Sequence, residues 1–264
     1  MKNNLYTLIT GASSGIGYEL AKVFAEKQHN LILAARRTER LESIKKEILS
    51  QHKNIDIYVF SLDLADIKAA EILFRKTQDS NLEIDILVNN AGFGDFALFE
   101  KADTEKLQKM IQLNMLSLTT LCKLFLPQMI ARKDGKILNV ASTGAFQPLP
   151  YMAVYAATKA YVQSFSEAIA EELRVHNIYV CSLCPGPTSS GFGKAAGVTD
   201  NSAVFNKTKI AQSKDVARFA YKKLMKGKRT AIHGFKNKVQ VFLNRLFPRI
   251  LIVKTTKYIM TKIK

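Results

Sequence analysis

Short apolar runs alternate with segments of helical periodicity along most of the chain. The runs are nearly continuous stretches of aliphatic residues, which is typical of strands buried on both faces. Strands and helices in regular succession predict an α/β fold: a doubly wound parallel sheet with helices on both faces. The predicted strands lie in residues 5–10, 30–36, 55–64, 84–92, 136–142 and 178–186, and the predicted helices span about 15–28, 38–50, 66–79, 104–132 and 152–175.

The composition is that of one globular domain. The 264 residues are 47% hydrophobic and 23% charged, and no internal repeat or low-complexity linker divides them. The first ten residues contain only a short apolar run without a small-residue cleavage site, which predicts no secretory signal. No run reaches the ~18 apolar residues of a membrane-spanning helix. These features predict a cytoplasmic protein.

The net charge of +17 is concentrated in the last quarter of the chain. From Asn206 onward there are 17 Lys/Arg residues and one acid, Asp215, whereas residues 1–205 carry 22 Lys/Arg against 21 Asp/Glu. The sequence therefore predicts a near-neutral domain at 1–230 and a basic amphipathic extension at 231–264.

Three roles are open for this extension. Lys and Arg interleaved with apolar residues suit peripheral association with an anionic membrane surface. The same segment also suits an arm that packs on the body and either mediates dimerisation or gates the substrate pocket. Nucleic-acid binding is not favoured, because the charge lies in no recognisable binding motif.

The three cysteines do not predict a disulfide framework, since an odd and small number is typical of a reducing compartment. Cys181 and Cys184 have redox-motif spacing, but they lie in a predicted strand, where residues three apart point to opposite faces. We expect buried structural thiols. The four histidines are far apart with no ligand spacing, so no metal site is predicted.

A glycine-rich turn follows the first predicted strand and opens the first helix. Gly11, Gly15 and Gly17 form the pattern G-x-x-x-G-x-G. Glycines allow the backbone to turn tightly and approach a pyrophosphate, while the helix start offers free N–H groups and the positive end of the helix dipole. The strand before and the helix after are the context that a nucleotide-binding motif needs.

The end of the second strand indicates which dinucleotide binds. An NAD site places an acid there for the ribose hydroxyls, whereas this chain has Ala35 followed by Arg36 and Arg37. Two guanidinium groups without a carboxylate favour a 2′-phosphate. The sequence predicts that NADP(H) is the cofactor.

Several motifs together resemble the short-chain dehydrogenase/reductase family. They are TGASSGIG at 10–17, NNAG at 89–92, Asn114, Ser142, Tyr155-x-x-x-Lys159 and PGPT at 185–188, and the resemblance covers residues 5 to about 225. It implies a Rossmann-type sheet of about seven parallel strands and an NADP-preferring carbonyl reductase. It also implies cofactor contacts from five stretches and two catalytic residues: Gly11, Ser13, Ser14, Gly15, Ile16, Gly17, Arg36, Arg37, Asp63, Leu64, Asn90, Ala91, Gly92, Tyr155, Lys159, Pro185, Gly186 and Thr188.

The expected reaction interconverts a ketone or aldehyde and an alcohol. Reduction needs a hydride and a proton for the developing alkoxide. Tyrosine has a free pKa of ~10, and a nearby ammonium favours its phenolate. Lys159 lies one helical turn after Tyr155 on the same face. The resemblance assigns proton transfer to Tyr155, nicotinamide ribose binding to Lys159, a hydrogen bond to the substrate oxygen to Ser142, and a bound water to Asn114.

The remaining predictions concern substrate and assembly. Aromatic and apolar residues after the motifs indicate a small hydrophobic carbonyl substrate, and lipid-like compounds are one option. Tyr151, Phe93 and Phe192 are candidate substrate contacts, and Phe205 is a candidate wall residue of a substrate lid. The resemblance implies a homodimer or homotetramer built on helices 104–132 and 152–175. The rival hypothesis is a catalytically silent protein that binds NADP(H) as a sensor.

Overall fold

The computed structural model describes residues 4–197 and 210–261, and its centre is a seven-stranded parallel sheet. The strand order is β3-β2-β1-β4-β5-β6-β9, so the predicted α/β fold is confirmed. A further two-stranded sheet pairs β7 with β8. The strands are β1 (Leu5–Thr10), β2 (Asn30–Ala35), β3 (Ile57–Ser61), β4 (Glu83–Asn89), β5 (Gly135–Val140), β6 (Ile178–Cys184), β7 (Thr188–Ser189), β8 (Ala211–Gln212) and β9 (Thr230–Ile232).

Helices cover both faces of the sheet. The helix Thr104–Arg132 is continuous but changes geometry along its length, as described below. The α-helical segments are α1 (Gly15–Glu26), α2 (Thr38–Gln51), α3 (Ala69–Asp79), α4 (Thr104–Ile111), α5 (Leu118–Arg132), α6 (Ala153–Glu172), α7 (Phe192–Ala195), α8 (Ser213–Met225), α9 (Phe235–Leu243) and α10 (Arg249–Thr261).

Two apolar layers fill the space between the sheet and its helices. One layer lies under α1, α2 and α8, and the other under α3, α5 and α6. Cys181 belongs to the first layer and Cys184 to the second, which confirms that these thiols lie on opposite faces. All three cysteines are buried and free, as expected of structural thiols.

The strand order reverses beside β1, which pairs with β2 on one side and β4 on the other. In an open parallel sheet this reversal leaves a crevice outside the carboxyl ends of the strands, where ligands bind. The glycine turn follows β1, Arg36 follows β2, and Asn90 follows β4. The topology therefore brings the predicted cofactor residues to one edge of the sheet.

The long helix predicted at 104–132 contains an unpredicted change of geometry. Residues Gln112–Ser117 form a π-helical segment between α4 and α5, and Asn114 lies inside it. A π-helical turn widens the helix by one residue and is frequent at functional sites. The widened turn places the Asn114 side chain among buried groups, where it is 1% exposed.

The helix Thr104–Arg132 is long and apolar enough to cross a membrane by length and composition, which the sequence analysis did not predict. In the fold, Leu121, Phe125 and Met129 pack in the apolar layer against the sheet. A helix of a protein core can be as long and as apolar as a membrane-spanning helix. Its packing and its contribution of Asn114 to a buried polar cluster identify it as a core helix of this fold.

The C-terminal part of the chain packs on the body of the fold. β9 pairs with β6 and runs across the predicted domain boundary at 230, so the sheet extends to Ile232. β9, the seventh strand of the main sheet, is only three residues long, and no apolar run in the sequence predicted it. α9 and α10 follow β9 and lie beside the loop that connects β5 to α6.

Candidate active site

The glycine turn is held in a conformation that larger residues cannot adopt easily. Gly11 and Gly15 have φ values of +66° and +56°, in the left-handed region that favours glycine. A Cβ atom on Gly11 would lie 2.8 Å from Asn90 Nδ2, and one on Gly17 would overlap Asn90 Nδ2 and the Gly11 carbonyl. Asn90 donates hydrogen bonds from Nδ2 to the carbonyl oxygens of Thr10 and Gly11, at 2.9 and 3.2 Å. The Asn90 side chain therefore stabilises the glycine turn through these two hydrogen bonds.

Two arginines flank this turn at the end of β2. Arg36 approaches Asp63 with 3.7 Å between Nη1 and Oδ2, and its side chain is 76% exposed. Arg37 donates from Nη2 to Ser13 Oγ at 3.3 Å. Because both guanidinium groups face solvent beside the glycine turn, they are free to bind a phosphate group placed there.

A small cavity lies beside the turn, between the ends of β1 and β4 and the π-helical segment. Leu64, Ala91 and Leu113 are among its apolar lining residues. The structure thus brings the predicted contacts Leu64 and Ala91 together. Ser14 and Ile16 lie at the start of α1, next to the same turn.

Tyr155 lies in the first turns of α6, and Ser142 lies at the end of β5. The Ser142 hydroxyl accepts a hydrogen bond from the Gly144 N–H at 3.0 Å, and it lies near enough to Tyr155 to affect the pKa of that phenol. Burial raises the pKa of Tyr155 to about 12, and the Ser142 hydrogen bond lowers it by less. The net shift in the pKa of Tyr155 is therefore upward, because burial outweighs the interactions that favour the phenolate. At neutral pH the Tyr155 side chain is a phenol that can donate its proton.

Lys159 lies one turn further along α6 and is 5% exposed. Its Nζ donates a hydrogen bond to the Val140 carbonyl oxygen at 2.7 Å and lies 5.9 Å from the centroid of the Tyr155 ring. Burial lowers the pKa of Lys159 to about 8, with a smaller opposing contribution from Cys184. The lysine is still mostly protonated at pH 7.

Asn114 connects α6 to the loop after β4. Its Nδ2 donates to the Phe93 carbonyl at 3.0 Å and to Thr158 Oγ1 at 3.1 Å, and its Oδ1 accepts from the Phe93 N–H at 3.2 Å. Thr158 Oγ1 in turn donates to the Tyr155 carbonyl at 2.8 Å. A Cβ on Gly92 would lie 2.9 Å from Asn114 Oδ1 and 3.4 Å from Lys159 Nζ. Gly92 therefore leaves the space in which these two side chains meet.

The turn after β6 closes the cofactor side of the crevice. Pro185 accepts a hydrogen bond at its carbonyl from the Thr143 N–H at 2.9 Å, and Thr188 Oγ1 donates to the Gly186 carbonyl at 2.9 Å. A Cβ on Gly15 would lie 2.9 Å from Ser190 Cβ, so this turn reaches across to the glycine turn. The predicted residues Pro185, Gly186 and Thr188 thus face the same crevice as the start of α1.

Apolar side chains surround the Tyr155 hydroxyl on the substrate side. The Tyr155 and Phe192 ring centroids are 5.2 Å apart, and Tyr151 stacks on Phe96 at 5.4 Å. Tyr151 has a φ of +68°, a strained value for a tyrosine that is found most often at functional sites. A small cleft lies beside these rings, with Tyr151 and Tyr155 in its lining together with Phe99, Leu107 and Met110.

The two other candidate aromatic residues differ in their placement. Phe93 is half-buried and contacts Asn114 through its backbone, and the apolar cluster of the described residues around Tyr155 does not include it. Phe205 lies outside the described residues. Tyr161 stacks on Phe165 and bonds Thr119, which agrees with a packing role.

Sequence reasoning missed two residues of this cluster, Met152 and Met260. Met260 in α10 is 9% exposed and packs with Met152, Tyr155 and Phe192. A signal was present, because Ile252, Thr256 and Met260 are spaced by four and form one stripe of the helix. The sequence gave no indication of what that stripe would cover.

A family comparison agrees with the fold and the site. The family model described as short chain dehydrogenase matches residues 6–201. This match covers well over half of the chain, which therefore belongs to the short-chain dehydrogenase family of oxidoreductases. The resemblance found in the sequence motifs is confirmed.

Two curated relatives share part of their length with this chain. A very-long-chain 3-oxoacyl-CoA reductase of Pyrenophora tritici-repentis is 35% identical over 178 residues, which cover 66% of this chain and 52% of that protein. The human dehydrogenase/reductase SDR family member 7 is 38% identical over 185 residues, which cover 69% and 55%. The chain thus spans about half the length of these relatives.

Solved structures share the whole fold. A short-chain dehydrogenase from Sphingobium yanoikuyae in complex with NADPH superposes with a TM-score of 0.79 at 28% identity. The match covers 91% of this chain and 93% of that one. The Rossmann-type architecture expected from the resemblance is therefore confirmed.

Proposed function

We propose that this chain is an NADP(H)-dependent oxidoreductase that interconverts a ketone or aldehyde and an alcohol on a hydrophobic substrate. One observation carries the proposal: a neutral, half-buried Tyr155 lies near Ser142, with its ring centroid 5.9 Å from Lys159 Nζ, and lines a mostly apolar cleft. This arrangement places a proton donor, a second hydroxyl and a cation around one point at the carboxyl edge of the sheet.

The residues present fit a dinucleotide. Side chains at Gly11 or Gly17 would collide with Asn90, so the turn is kept free for close backbone approach to a pyrophosphate. Arg36 and Arg37 would hold the 2′-phosphate, Asp63 and Leu64 the adenine side, and Lys159 and Thr188 the nicotinamide end. When bound there, NADPH supplies the hydride. The solved relative in complex with NADPH supports this assignment.

The roles of the chain's own side chains follow from their contacts. Tyr155 donates its O–H proton to the developing alkoxide, and the phenolate that remains is stabilised by the Lys159 ammonium. Ser142 donates a hydrogen bond to the same substrate oxygen. Asn114 is a positioning residue, because it connects the Phe93 backbone to Thr158 and thereby to the first turns of α6.

Apolar groups on the substrate side favour a hydrophobic carbonyl compound. Tyr151 and Phe192 provide aromatic surface beside Tyr155, and Met152 and Met260 add flexible apolar contacts. A relative named as a 3-oxoacyl-CoA reductase supports lipid-like substrates. We therefore propose ketones with a long apolar chain as the substrate class.

NADPH oxidation in the presence of ketones of graded chain length tests this function. We expect turnover by the wild-type chain to rise with chain length, and Tyr155→Phe to lose at least 100-fold in kcat while still binding NADPH. A wild-type chain that binds NADPH tightly but turns over no ketone or aldehyde would instead support the NADP(H)-sensing protein.

Assembly and location belong to the same proposal. Ile111 and Leu116 are 38% and 52% exposed on the helix Thr104–Arg132, which supports a homodimer or homotetramer built on that helix and α6. The basic extension after residue 230 supports peripheral membrane association of an otherwise cytoplasmic enzyme. Equilibrium sedimentation of wild type and Leu116→Glu tests the assembly, with a shift to monomer expected for the variant.

A further inference from the structure

The segment of α9, residues 244–248 and α10, called here the C-terminal arm, is fixed to the active-site loops. Asn244 Nδ2 donates to Gln147 Oε1 at 2.7 Å, and Thr256 Oγ1 donates to the Pro148 carbonyl at 3.1 Å. A Cβ on Gly186 would lie 2.5 Å from Asn237 Nδ2, so α9 also touches the turn after β6. The arm therefore contacts both the loop between β5 and α6, which contributes Tyr151 to the cleft, and the turn after β6.

The inward stripe of α10 closes one side of the substrate cluster. Ile252, Thr256 and Met260 are 8%, 7% and 9% exposed. Met260 belongs to the same apolar cluster as Tyr155 and Phe192. A substrate that reaches Tyr155 from this side must pass beside Met260.

The outward face of the arm exposes an unusual amount of apolar surface. Ten of the 19 exposed large hydrophobic side chains among the described residues lie between 235 and 259. Five of them are at least 60% exposed, which is far beyond scattered surface residues. The ten are Phe235, Val239, Phe242, Leu243, Leu246, Phe247, Ile250, Leu251, Tyr258 and Ile259.

Positive charge is interleaved with these apolar residues. Residues 235–264 contain eight Lys/Arg and no Asp/Glu. Six of these cations lie in the described part of the arm and are exposed: Lys236, Lys238, Arg245, Arg249, Lys254 and Lys257. The arm thus exposes apolar side chains for insertion and cations for electrostatic attraction within the same short segments.

This combination selects one kind of partner. A second copy of the chain docked by a two-fold contact would bring the six cations of each arm together, which is electrostatically unfavourable. A nucleic acid would satisfy the cations but leave the aromatic and aliphatic side chains in water. An anionic lipid surface satisfies both, because its headgroups attract cations and its acyl boundary accepts apolar side chains.

We propose that the outward face of the C-terminal arm binds an anionic lipid surface and holds the substrate cleft against it. A long-chain substrate then enters from the lipid beside Met260 and reaches Tyr155 without crossing bulk water. The entry route rests on the proposed function, whereas the docking surface does not.

Flotation of the full chain with phosphatidylglycerol/phosphatidylcholine vesicles tests the docking surface. We expect binding at low salt that weakens at least tenfold in 0.5 M NaCl or with pure phosphatidylcholine. The variant Phe242→Ser/Phe247→Ser/Ile250→Ser should bind at least tenfold more weakly than wild type. The matched control is Val175→Ser, since Val175 is 82% exposed just before β6, at the opposite end of the sheet.

Three results would overturn the docking proposal: no vesicle binding by wild type at low salt, equal loss in the Val175→Ser control, or a triple variant that turns a dimer into a monomer without changing vesicle binding. The last result would assign the face to self-association.

The entry route is tested by Met260→Ala with short and long ketones, each with and without vesicles. We expect vesicles to lower the KM of the long ketone at least fivefold for wild type but not for the triple variant. Met260→Ala should change the ratio of the KM values for long and short ketones and leave flotation unchanged. A vesicle effect that the triple variant retains refutes this route. Absence of turnover on every ketone would remove the proposed function together with the route, and flotation would still decide the docking surface.

Discussion

Lys159 lies beneath the ring of Tyr155, with its Nζ 5.9 Å from the ring centroid and bonded to the Val140 carbonyl oxygen. Burial acts oppositely on the two groups, raising the pKa of Tyr155 to about 12 and lowering that of Lys159 to about 8. Both shifts favour the neutral form of the group. At neutral pH Tyr155 is therefore a protonated phenol, and Lys159 is an ammonium that loses its proton more readily than an ordinary lysine.

The rate of reduction should fall as pH rises through about 8. The Lys159 ammonium stabilises the phenolate formed by proton transfer, and it loses its charge in that range. Tyr155, with a pKa of about 12, stays protonated over the same range. The measurement is the pH profile of kcat/KM with saturating NADPH, and a profile that stays flat to pH 10 would contradict the assignment.

Lys159→Met should stabilise the fold at neutral pH while it abolishes activity. The folded pKa of about 8 lies below the unfolded value of 10.5, so the unfolded state binds more protons between these values. The buried charge therefore costs up to about 3 kcal/mol below pH 8, and the cost vanishes as pH rises to about 10.5. The variant also leaves the Val140 carbonyl oxygen without its hydrogen bond, which offsets about 1 kcal/mol of the gain in the free energy of unfolding.

Urea unfolding of wild type and Lys159→Met at pH 7 and pH 10 measures this difference. We expect the variant to be more stable at pH 7 and the two to converge at pH 10. A difference in the free energy of unfolding that is larger at pH 10 than at pH 7 would disprove the interpretation.

Arg36→Ala and Arg37→Ala should each raise the KM for NADPH about tenfold or more and leave that for NADH nearly unchanged. The reason is that both guanidiniums lie beside the glycine turn, where we propose that they bind the 2′-phosphate that only NADPH carries. Lys46→Ala, an exposed cation further along α2, is the matched control. Wild type should prefer NADPH by at least tenfold, and equal Michaelis constants for the two cofactors would refute the assignment.

Ser142→Ala should lower kcat by about 100-fold with a small change in KM, because in the proposed mechanism its hydroxyl, near Tyr155, donates a hydrogen bond to the developing alkoxide. Ser142→Thr keeps the hydroxyl and serves as the control, with partial activity expected. Steady-state kinetics on one ketone suffices, and a variant that changes only KM would reassign Ser142 to substrate binding.

Gly92→Ala should destabilise the protein by about 1–3 kcal/mol and reduce kcat more than KM. Its Cβ would lie 2.9 Å from Asn114 Oδ1 and 3.4 Å from Lys159 Nζ, so one of the two side chains must move. Thermal unfolding and kinetics measure the two effects. An unchanged Tm with full activity would show that the space is not needed.

Much of the site follows from local sequence. The glycine turn, the two arginines and the Tyr155–Lys159 spacing each depend on a few consecutive residues, and parallel strands bring their carboxyl ends to one edge. The widened turn at Asn114 could not be read in this way, because helix periodicity does not distinguish an α-helical from a π-helical segment of six residues. The pKa of Tyr155 was also out of reach, since burial depends on distant residues.

The sequence by itself determined the alternation of strands and helices, the family motifs and the basic charge of the C-terminal arm, because these are properties of short segments. The tertiary structure alone decided what the arm covers. Met260 joins the apolar cluster of Tyr155 and Phe192 only because α10 packs on the loop between β5 and α6, through contacts between segments about 100 residues apart. Such long-range packing leaves no periodic signal in the residues that make it.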